Sequence, residues 1–131
     1  MVGIDIVNNQ RIKEAVERFG ERFLRRVYTQ EELAYCQSQR AYYECLSARW
    51  ACKEAVLKAF YQSYGVLLKF TEIEVLGDQG RPARVRIRRR GFEKVNVFVS
   101  LSHEREFSVA VAYLPVEPPH VVEGSVPLTQ R

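Results

Sequence analysis

The chain has 131 residues, enough for one domain with a core of its own and too few for a multidomain machine. Its 47% hydrophobic and 27% charged residues exclude a disordered or fibrous polymer. A net charge of +4, with 15 arginines among 20 basic residues, points to partners bearing phosphate or carboxylate groups, which guanidinium binds in a two-pronged fashion. No run reaches the ~18 apolar residues of a membrane-spanning helix, and no basic leader precedes the first apolar stretch, which Asp5 interrupts. The expected location is therefore the cytoplasm, with no membrane partner. Cys36, Cys45 and Cys52 are odd in number and lack CxxC spacing, so three reduced thiols are expected, with no disulfide and no zinc site.

In chain order, Met1 to Val7 alternates as a strand, with Val2, Ile4 and Ile6 on one face and Gly3, Asp5 and Val7 on the other. Asn8 or Asn9 caps a helix carrying Ile12, Val16 and Phe19, which stops at Gly20. Glu21 to Val27 adds one or two basic helical turns. Thr29 with Glu32 forms a capping box that opens another short helix through Leu33 and Cys36. From Tyr42 to Tyr61 there is no Pro or Gly, and Leu46, Trp50, Leu57 and Phe60 recur at helical spacing. Ala48, Ala51, Ala55 and Ala59 add a small-residue stripe that lets another backbone approach, so this central helix is expected to be buried on two sides.

After Gly65 the period changes to two. Residues 72–76 and the alternation of Val85 and Ile87 with arginines make one hairpin around a turn at 77–82. Val95 to Leu101 and Phe107 to Tyr113 make a second, turning at His103 to Glu106. One strand, several helices and then antiparallel hairpins define an α+β fold over residues 1–114, followed by a proline-rich C-terminal tail, 115–131.

Three places could carry chemistry. Asp5 stands mid-strand, where Asp is disfavoured: either it points to water from an edge strand or it serves as a ligand for a hard cation. Arg49, Lys53, Glu54 and Lys58 crowd ten residues of the central helix, and the 54/58 pair reads equally as a solvated salt bridge or a functional face. Lys53 falls within the apolar stripe, where its stem could snorkel. Ser100, Ser102 and His103 end a strand at a turn, where a histidine either orients the turn or is presented to a ligand. The arginines from Arg84 to Arg90 offer a second function, a small basic RNA-binding domain.

Taken together, MVGIDIV at the start, Phe23 to Thr29 followed by Glu31-Glu32-Leu33, ARWACKEAVLKA from Ala48 to Ala59, and VSLSHE from Val99 to Glu104 resemble the holo-acyl-carrier-protein synthase family, the small phosphopantetheinyl transferases. The resemblance covers roughly residues 1–114. It implies Mg²⁺-dependent transfer of 4′-phosphopantetheine from coenzyme A to a serine of apo-acyl carrier protein, releasing adenosine 3′,5′-bisphosphate in support of fatty acid biosynthesis. Asp5 and Glu54 match the metal ligands, and Lys58 matches the lysine beside the pyrophosphate. These three form the implied catalytic set. Arg49 and His103 match positions that contact coenzyme A, and Lys53, Lys58, Gly65 and Ser102 belong with them on the cofactor side. Arg11 matches a carrier-docking position, joined by Arg18, Arg22, Arg25 and Arg26. The resemblance also implies a homotrimer with active sites between subunits. Where the family usually has several glycines after the motif, this chain keeps only Gly65, so a stiffer phosphate-side loop is expected; Cys52 stands where Ala is commoner.

Overall fold

The computed structural model describes residues 1–77 and 81–115, so the expected tail lies outside the described residues apart from Pro115. The elements run β1 (Val2–Asn8), α1 (Asn9–Phe19), α2 (Glu21–Val27), α3 (Gln30–Gln37), α4 (Tyr42–Tyr64), β2 (Ile73–Leu76), β3 (Arg84–Ile87), β4 (Phe98–His103) and β5 (Phe107–Tyr113). This is an α+β architecture. β1, β5 and β4 form one antiparallel sheet in that order, and β2 pairs with β3 in a separate hairpin. No helix among the described residues is long and apolar enough to cross a membrane.

The central helix α4 runs through both cores. On one side Ala51, Cys52, Ala55, Val56, Ala59 and Phe60 meet the sheet and the β2–β3 hairpin. On the other, Leu46 packs with Ile12, Leu24, Val27 and Tyr28, and Trp50 stacks between Phe23 and Phe70 at centroid distances of 5.9 and 5.0 Å. The helix continues to Tyr64 and stops at Gly65, whose φ of 69° is a left-handed conformation that glycine adopts without strain. The helix thus runs three residues beyond the expected Tyr61, and part of the expected phosphate-side loop is helical.

The alanine stripe does what its size permits. β1 lies so close to α4 that a Cβ on Gly3 would fall 1.9 Å from the carbonyl oxygen of Ala55 and 3.1 Å from the amide nitrogen of Ala59. β5 presents the small side chains Ser108, Ala110 and Ala112 to the same helix, all buried. The larger apolar residues point the other way. Val2, Ile4 and Ile6 on β1, Phe107, Val111 and Tyr113 on β5, and Phe98 on β4 form an outer sheet face, with Ile4 61% and Ile6 65% exposed.

The expectation of three free thiols is corrected. Cys36 at the end of α3 and Cys45 in the first turns of α4 form a disulfide, because the short connection between the helices brings their Cα atoms to 5.5 Å, within the normal range for a bridge. Cys52 remains free and fully buried, and burial pushes its thiol up to about 12. The fourth strand begins at Phe98, later than Val95, and keeps His103 as its last residue.

Because a methyl at Gly3 meets helix backbone, which has nowhere to retreat, Gly3→Ala is expected to cost stability at the upper end of the ~1–3 kcal/mol seen for overpacking. Chemical denaturation of the variant checks this, and a loss below ~0.5 kcal/mol would contradict so close a contact.

Candidate active site

Asp5 sits on an edge strand, yet it does not point to water. It shares the inner face of β1 with Gly3, opposite Ala110 of β5, and its side chain is 14% exposed. The close Gly3–Ala55 approach brings it against α4, where Lys58 donates to its Oδ1 at 3.1 Å and to the Ile4 carbonyl oxygen at 3.2 Å. Lys58 thus turns to β1, and among the described residues no ion pair joins it to Glu54. Glu54, one turn earlier on α4, is partly buried. Burial and the neighbouring Asp5 charge raise its carboxyl above the ordinary glutamate value, with Lys58 acting in the opposite direction. Two neighbouring carboxylates and one lysine thus meet on the border of a core.

Arg49 and His103 lie elsewhere. With Tyr35, Gln39, Arg40 and Arg81 they line an open cavity of about 430 Å³ between the α3–α4 connection, the end of β2 and the end of β4. Arg49 is 7% exposed, its guanidinium lies 4.5 Å over the Tyr35 ring, and its Nε is buried without a partner. Burial lowers its pKa, against the favourable field of Glu32. A buried guanidinium with no carboxylate in ion-pair range among the described residues leaves positive charge for an incoming anion. His103 is held at the cavity by the residue next to the helix cap. Asn8 caps α1 through the Gln10 amide. Asn9 is buried instead, donating from Nδ2 to the carbonyls of Glu104 (2.7 Å) and Arg105 (3.1 Å) and accepting from Ser108 Oγ (2.7 Å). Nothing in its sequence surroundings separated it from an ordinary cap.

The remaining expected cofactor residues do not join either group. Lys53 is fully buried; its Nζ lies 2.8 Å from Glu32 and donates to the carbonyls of Phe70 and Ile73. Glu32 in turn accepts from the amides of Thr29 and Val75, closing the expected capping box and tying α3 to β2. Ser102 faces the outer side of the sheet opposite Val109, away from the cavity, and Gly65 serves as the cap of α4. Arg11, Arg18, Arg22, Arg25 and Arg26 are all exposed on α1 and α2, with Arg25 engaging Glu21 at 3.5 Å. Among the arginines in and just after β3, Arg86 and Arg88 pair with Glu74 and Arg89 with Glu72, while Arg84 and Arg90 are exposed.

The profile of the 4′-phosphopantetheinyl transferase superfamily matches residues 1–112. A holo-[acyl-carrier-protein] synthase of Aquifex aeolicus is 57% identical over 118 residues, covering 87% of this chain and 97% of the relative. That of Hydrogenobaculum is 42% identical over 123 residues, covering 89% and 97%. The fold matches a crystal structure of the Helicobacter pylori synthase in complex with coenzyme A, with a TM-score of 0.74 at 27% identity over 87% of this chain and 99% of that one. A Chronobacterium ammoniagenes synthase–coenzyme A complex gives 0.71 at 30% identity over 85% and 92%. The fold and its relatives define an α+β enzyme of the group-transfer class. The chain belongs to the 4′-phosphopantetheinyl transferase superfamily and, within it, to the holo-acyl-carrier-protein synthases.

Raising the pKa of Glu54 in the folded state means that its protonated form stabilises the fold, fully below the unfolded glutamate pKa, and that this contribution is lost as pH rises through the raised value. Glu54→Gln is therefore expected to melt at or above the wild-type temperature at neutral pH, with the difference shrinking as pH falls. Thermal melts from pH 4 to 8 read this directly; a variant that is less stable at pH 7 would contradict it.

Proposed function

We propose that the protein transfers 4′-phosphopantetheine from coenzyme A to a serine of apo-acyl carrier protein with Mg²⁺ bound by Asp5 and Glu54. The observation that carries the metal reading is that Lys58 of α4 reaches Asp5 of β1 at 3.1 Å, which brings Asp5 against the turn of α4 that carries Glu54. Among the described residues no third His, Cys, Asp or Glu joins them, which suits Mg²⁺, an ion that takes few protein ligands and fills its other positions with water and phosphate oxygen. When bound, the ion would neutralise pyrophosphate charge and polarise the phosphorus. The chain's own part is to hold the two carboxylates and to place the Lys58 ammonium where charge builds on the leaving group.

Arg49, from within its cavity, and His103, at the cavity rim, fit the nucleotide phosphates of coenzyme A. Exposed Arg11, Arg18, Arg22 and Arg25 suit an acidic carrier protein, whose approach they would steer in a salt-dependent way. The carboxylate cluster and the cavity lie toward opposite edges of the sheet, two strands or roughly 10 Å apart. The outer face of Val2, Ile4, Ile6, Val111 and Tyr113 is an unusually apolar surface for an isolated chain. That face supports association with further copies of the chain; a homotrimer with active sites between subunits is what the family resemblance implies. A cytoplasmic role in fatty acid biosynthesis follows from that substrate pair.

Mass spectrometry of apo-acyl carrier protein incubated with the enzyme, coenzyme A and Mg²⁺ tests the reaction. A single phosphopantetheine addition on serine is expected, abolished by chelation of the metal. Lys58→Ala is expected to retain its melting temperature within a few degrees while turnover falls by about 10²–10³, the usual effect of losing a preorganised charge. An equal collapse of stability would assign Lys58 to structure.

A further inference from the structure

The one disulfide among the described residues closes a ring from Cys36 to Cys45, and that ring carries part of the cavity wall. Gln39, Arg40 and Ala41, within the ring, line the cavity together with Cys45 itself. Tyr35, just before the ring, supports the Arg49 guanidinium at 4.5 Å, and Arg49 Nη1 lies 3.6 Å from Cys45 Sγ. The bond therefore joins the end of α3, the connecting loop and the first turns of α4 at the point where the buried guanidinium is held. Cys36 is fully buried and does not line the cavity.

We propose that the Cys36–Cys45 disulfide is a functional modification of this protein that preorganises the anion-binding wall, so that the oxidised chain binds a phosphate-bearing nucleotide more tightly than the reduced one. This rests on the reading of the cavity as the coenzyme A phosphate site. Cross-linking removes the freedom that the loop would otherwise lose on binding, and ordering one or two long side chains is worth roughly three- to tenfold in affinity. Reduction by an external dithiol adds two electrons and two protons, cleaving the S–S bond to two thiols while the dithiol becomes its own disulfide. Reoxidation by a small-molecule disulfide reverses this. Cys52, free and fully buried with its thiol raised to about 12, stays out of the exchange.

The test is calorimetric titration with adenosine 3′,5′-bisphosphate, which carries no thiol, against oxidised wild type, dithiothreitol-reduced wild type and Cys36→Ala. Thiol counting after denaturation fixes the state, with one thiol expected in the oxidised chain and three in the reduced one. Reduced protein and Cys36→Ala are both expected to bind roughly three- to tenfold more weakly. Should Cys36→Ala fail to fold, the two states of the wild type carry the comparison. Equal affinity with only a lowered melting temperature would overturn the proposal and leave the bond as a staple. Three thiols in protein purified without reductant would overturn it as well. No binding even to the oxidised wild type would instead overturn the phosphate-site reading beneath it.

Discussion

The site depends on a contact in which a side chain is missing. Gly3 lets β1 rest on the backbone of α4 at Ala55 and Ala59, and that approach puts Asp5, two residues on, beside Glu54 and Lys58. Strand alternation and helix pitch then do the rest: residues 3 and 5 share a face of β1, and residues 54, 55, 58 and 59 cluster on one side of α4.

Adjacent residues of the motif have opposite duties for a geometrical reason. Lys53 and Glu54 are separated by about 100° around the helix. Lys53 faces the interior, where its ammonium is matched by Glu32 and two carbonyls, as a buried charge must be. That network fastens Phe70, Ile73 and Val75 to the helices and so sets the β2 wall of the cavity. Glu54 faces the border with β1, where its charge is only partly opposed. One of the pair builds the scaffold and the other is left with unspent electrostatic potential.

Much of this was legible in the residues. The 3.6 period without Pro or Gly marked α4, the alanine stripe anticipated close packing, and Thr29 with Glu32 closed the capping box as its spacing indicates. Asp is unfavourable in mid-strand, and Asp5 is compensated there by Lys58. What the period could not disclose was which face is the interior. Val2, Ile4 and Ile6 alternate as core residues do, yet Gly3 and the alanines take the inner side because only small residues fit under α4. The disulfide escaped because its partners are distant in motif terms and meet only through the turn between two helices. Helical spacing put Lys53 in the apolar stripe with Leu46, Trp50, Leu57 and Phe60, and it is buried there; its place on the cofactor side was only what the family resemblance implied. Asn9, Arg40 and Tyr35 carried no signal of their own, since their roles arise from loops that only tertiary structure brings together.

That the strand–helix contact sets up the proposed metal-binding pair of Asp5 and Glu54 is tested most directly by titrating Mn²⁺, as a paramagnetic stand-in for Mg²⁺, into folded wild type and folded Gly3→Ala in the presence of coenzyme A, with free Mn²⁺ read by electron paramagnetic resonance. Displacing β1 from α4 separates Asp5 from Glu54, so the variant is expected to bind Mn²⁺ roughly tenfold or more weakly, the usual result of disturbing the groups that orient metal ligands. Unchanged Mn²⁺ affinity in the folded variant would contradict it.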